Sequence, residues 1–245
     1  MSPKQEKRIN MTYPGRLIII GKDPTDQYVV VGYAITGRSA SSQARKIEYS
    51  QGQALVKPMD RQKIKKGNIE LLIYPALKID KGIAVSNGKH TDDIFKNMKN
   101  SSQPSEILTY ALKKWDYEPD PPSYTPRISG CVLSPDKAVL SVIKRAENGK
   151  SIRNFFEFPL IPGKAKLIST YKGENRDPLP SYDGEPMNIS IPTKNADETA
   201  QYFNHSLKPN QNQPDFRVAL ICVFSQAPKF HKNYISIINR HERSG

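Results

Sequence analysis

The sequence predicts an α+β fold arranged as a layered sandwich, and three observations carry that reading. Strand-like segments fill the first third, two helical segments follow, and strand-like segments resume, with no βαβ alternation. Neither an internal repeat nor a compositional seam divides the 245 residues, so one domain is expected over 13–245. Twenty prolines and fourteen glycines mark frequent chain reversals.

Arg16 to Gly21 and Gln27 to Ile35 alternate like the arms of a hairpin, with a turn at Asp23-Pro24-Thr25-Asp26. A second pair of strands is expected near Gln53–Lys57 and Ile69–Ile79, and a further strand over Lys81–Ser86. Thr91 is suited to cap a helix, with Asp92 and Asp93 near its positive end. Pro104 opens a second helix, in which Ile107, Leu108, Ala111, Leu112 and Trp115 recur at helical spacing. Four prolines make Tyr117–Pro126 an extended loop. Strands are expected again at Arg127–Leu133, Ala138–Arg145 and Asn154–Pro159. After the Gly/Pro/Asp-rich loop Tyr171–Pro186 come a helix at Asp197–Leu207 and a last strand at Phe216–Phe224.

Composition narrows the function classes. The chain carries 37 Lys and Arg against 24 Asp and Glu, a formal charge of +13, which draws anionic ligands. These cations are dispersed without a basic block, which argues against a dedicated nucleic-acid arm. No apolar run approaches the roughly 20 residues of a membrane-spanning helix. Residues 1–12 are charged, lack a signal-peptide core and read as a disordered leader. Cys131 and Cys222 lie in apolar strand contexts and suit free thiols in a reducing, cytoplasmic compartment. Four scattered histidines offer no metal spacing, and neither a glycine-rich phosphate loop nor a nucleophile elbow is present.

Three polar stretches at strand boundaries carry the candidate chemistry. Gly32–Lys46 runs from a strand into a small hydroxyl-rich turn holding Arg38, Ser39, Arg45 and Lys46, side chains able to converge on phosphate. The same turn could equally be a solvated surface. Ser86-Asn87-Gly88-Lys89-His90-Thr91-Asp92 joins a tight turn to a helix N-terminus, where anions are favoured. A turn and a cap explain it as well. Prolines stiffen Tyr117–Gly130 and hold Tyr124, Thr125 and Arg127, an aromatic, a hydroxyl and a guanidinium suited to a base, a ribose and an anion. A structural crossover is the alternative.

Taken together, Tyr13-Pro14-Gly15-Arg16, Arg38-Ser39, Ser86-Asn87-Gly88, His90-Thr91-Asp92 and Tyr124 to Gly130 resemble the archaeal-type inosine monophosphate (IMP) cyclohydrolase family. Ser169-Thr170-Tyr171 and Pro178 to Pro186 resemble its later segment, and the similarity runs over residues 13 to 225. The resemblance implies a four-layer αββα sandwich like that of N-terminal-nucleophile hydrolases, without their self-processed nucleophile. It also implies a hydrolase-class enzyme of purine biosynthesis that needs no cofactor, and with no clustered metal ligands in the sequence no metal is expected. Its substrate would be 5-formamidoimidazole-4-carboxamide ribonucleotide (FAICAR), closed to IMP with loss of water. The basic tail after Phe224 has no counterpart in the resemblance.

For that reaction Tyr124 and Lys46 are candidate donors to the developing oxyanion, and Glu118 the candidate base, with Glu157 as competitor. Arg38, Arg45 and Arg127 are candidates for phosphate or carboxamide, and Ser39, Tyr74, Asn87 and Thr125 for further substrate contacts. Arg38 and Arg127 are expected to line one pocket. The partner implied is a small purine ribonucleotide, with no membrane, and self-association is left open. Two other classes stand beside it: an amide hydrolase using Thr12 as N-terminal nucleophile, and a basic nucleotide- or nucleic-acid-binding paralogue.

Overall fold

Leu17-Ile18-Ile19-Ile20 shows how the molecule is layered. Leu17 and Ile19 pack under a helix, while Ile18 and Ile20 face a second sheet, because successive side chains of a strand point to opposite sides. The computed structural model describes residues 9, 11–59 and 73–242. Among them, six strands form one sheet in the order β11-β10-β1-β2-β12-β13. Their ranges are β1 (Arg16–Lys22), β2 (Val29–Thr36), β10 (Lys164–Ser169), β11 (Met187–Ser190), β12 (Arg217–Ser225) and β13 (Asn233–Asn239). The other sheet runs β3 to β9 in chain order: β3 (Arg45–Ser50), β4 (Gln53–Pro58), β5 (Tyr74–Ile79), β6 (Ile83–Ser86), β7 (Arg127–Val132), β8 (Lys137–Arg145) and β9 (Ser151–Pro159). Neighbouring strands in both sheets are antiparallel.

The main core lies between the sheets, where Ile18, Ile20, Val31 and Ile35 meet Val56, Leu77, Val85, Ile128 and Leu140. On the far face of the first sheet, helix α4 (Ala196–Ser206) buries Ala200 and Phe203 against Leu17, Ile19 and Cys222. On the far face of the second, α2 (His90–Asn97) and α3 (Pro104–Leu112) bury Ile94, Ile107, Leu108 and Leu112 against Ala84, Cys131 and Val139. Both cysteines are free and buried. No described helix is long and apolar enough to cross a membrane.

Several elements differ from expectation. The turn expected after Thr36 contains a one-turn helix, α1 (Ala40–Gln43), and β3 starts within it at Arg45. Strands β3, β10, β11 and β13 are additional, and β12 lies between β2 and β13 and is not the last strand. Thr91 does not cap α2; Lys89 holds that position, and the Thr91 hydroxyl turns back to the Gly88 carbonyl at 3.1 Å. Trp115 lies beyond the end of α3, held by its amide on the Leu112 carbonyl. Tyr117–Pro126 is not extended: its chain folds around Asp120, whose carbonyl accepts from the Ser123 and Tyr124 amides. Of the expected leader, Ile9 and Met11 are packed at 7% and 9% exposure, and residues 1–8 and 10 lie outside the described residues. So does the expected strand segment 69–72.

Gly15 fixes how β1 enters the first sheet. Its φ of +76° lies in the left-handed region, and a Cβ there would sit 2.1 Å from Thr170 Oγ1. Gly15→Ala is therefore expected to destabilise the fold by about 2–4 kcal/mol, from overpacking and backbone strain together. Urea unfolding measures it, and an unchanged midpoint would show that the turn yields freely.

Candidate active site

The sheet topology brings six polar side chains to one end of the molecule. Strands β3, β5 and β7 alternate with antiparallel neighbours, so they run the same way and their first residues, Arg45, Tyr74 and Arg127, share an end. Arg16 opens β1 in the facing sheet, and its Nη2 pairs with Glu118 Oε2 at 3.2 Å, at that same end. Strands β6 and β10 finish there, which delivers Asn87 and Tyr171.

Glu118 is the centre of this group. It is 1% exposed, and its Oε1 accepts from Asn87 Nδ2 at 3.0 Å. Asn87 is itself fixed: its Nδ2 also donates to the Pro126 carbonyl at 3.0 Å, and its Oδ1 accepts from the Ile128 amide at 2.8 Å. The loop carrying Glu118 is closed by its own amide donating to the Thr125 carbonyl at 2.8 Å. Asp120 ties the loop's other arm, accepting from the Thr125 amide at 2.6 Å and from its hydroxyl at 2.5 Å. Tyr171 OH lies 2.5 Å from the Thr125 hydroxyl. Tyr33 OH and Tyr74 OH form a buried pair at 2.7 Å.

Electrostatics make the site cationic. Arg45 and Arg127 are buried and the Arg16 side chain is 12% exposed, against the single buried carboxylate of Glu118 among the described residues facing them. Burial pushes the Glu118 carboxyl upward, against the opposing pull of Arg16 and Arg127. Burial is the largest single influence on Arg16 and works against its charge, but Glu118, with Tyr74, Tyr171 and Tyr33, together more than offset it and hold the guanidinium charged. Arg45 and Arg127 are both pulled down by burial; among the compensating charges, Tyr74 leads for Arg45 and Glu118 for Arg127. Arg45 donates to backbone carbonyls, from Nε to Ser42 at 2.9 Å and from Nη2 to Thr36 at 3.4 Å. The Arg16 Nε is buried without a partner among the described residues. Burial pushes the Tyr171 phenol up to about 12. It lowers the His90 imidazole well below its usual value, and the nearby Arg127 adds to that, so His90 is neutral.

The candidates from sequence thus divide. Glu118, Asn87, Arg45, Tyr74, Thr125 and Arg127 come together. Lys46 does not: it alternates with Arg45 along β3, points outward and pairs with Glu48 and Glu242, each at 2.8 Å. Tyr124 turns its ring to Tyr117 and to Arg145, whose guanidinium lies 4.3 Å above it. Ser39 is exposed and caps α1. Glu157 is a surface partner of Lys137 at 3.2 Å. Arg38 and Arg127 have separate surroundings: Arg38 is exposed, pairs with Asp177 at 2.9 Å and lies over the Tyr13 ring, whereas Arg127 lies over Trp115. Arg16, Tyr33 and Tyr171 join the site without having been singled out for it. Arg16 and Tyr171 stand in motifs that carry the family resemblance, Tyr13 to Arg16 and Ser169 to Tyr171, which was the available signal for them; Tyr33 lies inside an apolar strand and offered none. No described group of three His, Cys, Asp or Glu could hold a metal.

Residues 13–227 match the model of a family described as IMP cyclohydrolase-like protein. The chain belongs to this family. Its relatives include an IMP cyclohydrolase of Methanothrix thermoacetophila, 31% identical over 168 residues, covering 68% of this chain and 78% of the relative. Another, from Methanococcus maripaludis strain C7, is 30% identical over 165 residues, covering 66% and 76%. A third, from strain C6 of the same species, is 27% identical over 191 residues, covering 78% and 86%. The matched span includes every residue of the cluster around Glu118, while β13 lies beyond it.

Packing also bears on Thr12. Met11 is buried, and the Tyr13 amide donates to the Gly173 carbonyl at 2.8 Å, so the chain on both sides of Thr12 is held. The N-terminus is expected to remain uncleaved there, because ring closure needs no covalent intermediate. Intact mass spectrometry should give the 27.6 kDa chain. A species beginning at Thr12, inactivated by Thr12→Ala, would favour amide hydrolysis instead.

Proposed function

We propose that the chain is an IMP cyclohydrolase that closes FAICAR to IMP. The observation that supports this reading is the buried Glu118–Asn87 pair set among the buried Arg45 and Arg127 and the partly buried Arg16, in a chain of this family. Such a site offers a base beside a surplus of positive charge, which suits an anionic nucleotide.

Ring closure forms a bond from the carboxamide nitrogen to the formyl carbon. The formyl oxygen then leaves as water, with one hydrogen from the carboxamide nitrogen and one from the formamide nitrogen. The amide is a weak nucleophile, so holding it against the formyl carbon supplies much of the rate. Glu118 takes the carboxamide proton, for which an upward-tuned carboxyl is suited. Asn87 keeps that carboxylate aimed. The free Nε of Arg16 and the Tyr33–Tyr74 hydroxyl pair are the donors for the developing oxyanion. Arg127 and Arg45 hold the phosphate or the carboxamide oxygen, and Thr125 and Tyr171 line the substrate. No step uses a metal or cofactor.

With that activity we read residues 13–245 as one domain acting in the cytoplasm on a free nucleotide, with self-association open. The sandwich, with helices outside two facing sheets, supports a likeness to N-terminal-nucleophile hydrolases. An ultraviolet assay with FAICAR tests the function.

A further inference from the structure

Arg127 is held in an unusual way for a buried cation. Its Nε donates to the Asp116 carbonyl at 2.7 Å, and its guanidinium carbon lies 4.7 Å from the centre of the Trp115 ring. Among the described residues no carboxylate forms an ion pair with it, although the residue is only 7% exposed. Its Nη1 passes close over Gly88, where a Cβ would approach to 2.9 Å. The indole is in turn fixed at several points. Trp115 Nε1 donates to Asp93 Oδ2 at 2.8 Å, and the Trp115 carbonyl accepts from Arg153 Nη2 at 2.7 Å. His90 packs against the same indole with ring centroids 5.5 Å apart. Being neutral, it leaves the indole face to a single cation. Trp115 is the one tryptophan of the chain.

We propose that Trp115 is a positioning residue: clamped by Asp93, its indole sets the plane of Arg127 so that the terminal nitrogens stay available to an anionic ligand. The proposal rests on the reading of Arg127 as a nucleotide contact. An aromatic face orients a guanidinium without neutralising it. A carboxylate in the same place would compete with the ligand. Trp115 therefore acts on the substrate only through Arg127.

The test compares Trp115→Phe with Trp115→Leu. The phenyl ring keeps a π face for Arg127, and leucine removes it. Trp115→Leu is expected to raise KM for FAICAR about 5- to 30-fold with kcat within about 2-fold, and Trp115→Phe to recover most of the loss. Since both variants lose the indole N–H bond to Asp93, both should lose similar melting temperature. A KM that tracks melting temperature, or a wild-type KM in Trp115→Leu, would overturn the proposal. Inorganic phosphate gives a readout that needs no turnover. The rise it causes in melting temperature should shrink in Arg127→Gln and Trp115→Leu and persist in Trp115→Phe. If wild type binds phosphate in this pattern but does not convert FAICAR, the functional reading fails and the positioning role stands. If phosphate stabilises all four proteins equally, or none of them, the positioning role is refuted. Wild-type fluorescence should also change on adding IMP and be unresponsive in Arg127→Gln; a response unaltered by that replacement would contradict coupling through Arg127.

Discussion

Glu118→Gln is expected to lower kcat for ring closure by about 10²- to 10⁴-fold, the range associated with a positioned general base. Glutamine keeps the shape and an acceptor for Asn87 Nδ2, so the local hydrogen bond at 3.0 Å has a replacement. What it removes is the proton acceptor and the counter-charge of Arg16. Breaking a buried ion pair from one side costs about 3–5 kcal/mol where nothing relaxes, so a lower melting temperature is expected as well. Kinetics must therefore be read well below that temperature. Binding of IMP, measured by calorimetry, should change by only about 10-fold or less, because the base acts on the transition state. A folded Glu118→Gln enzyme with kcat within about 3-fold of wild type would make Glu118 a structural counter-ion.

Replacement of Arg16 should move the pH dependence in a fixed direction. Burial raises the Glu118 carboxyl, and Arg16 is the largest influence opposing that rise. Arg16→Gln removes it, so the carboxyl should titrate at higher pH. The base is active when ionised, so the acidic limb of kcat/KM should shift to higher pH by about one unit or more, one unit corresponding to about 1.36 kcal/mol. Activity would then fall further at pH 6 than at pH 8. Stability carries the same sign. A carboxyl raised above its unfolded value contributes stability below the ordinary carboxylate range and loses it as pH rises through the folded value. Arg16→Gln should accordingly lose stability between mildly acidic and neutral pH more steeply than wild type. A profile that keeps its acidic limb would separate Glu118 from proton transfer.

The sequence made the hairpin β1–β2 legible because Leu17 to Ile20 and Val29 to Ile35 are continuous apolar runs bounded by Asp23 to Asp26. It was less informative at β10 and β11. Lys164-Ala165-Lys166-Leu167 alternates only weakly, and pairing with β1 decides its state. β13 was obscured by the preceding Ala227-Pro228-Lys229 and by its place after the family-like segments. For the site, Glu118, Asn87 and Arg127 could be picked out from polar residues beside turns. Lys46 and Arg45 could not be separated until β3 was known to begin at Arg45, since one residue of phase decides which faces the interior. Tyr171 and Tyr33 carry hydroxyls that matter only through partners 46 and 41 residues away, a long-range pairing that no local pattern reveals. Trp115 was visible as an apolar helical position; its contact with Arg127 depends on how α3 ends.

The most direct measurement is product formation by the purified full chain from FAICAR in the presence of a metal chelator, followed in the ultraviolet and by chromatography. IMP should appear catalytically, at a rate that the chelator leaves unchanged and that falls in Glu118→Gln. A folded wild-type protein that forms no IMP, or that forms it only when a divalent metal is restored, would contradict the assignment of ring closure to Glu118 and its arginines.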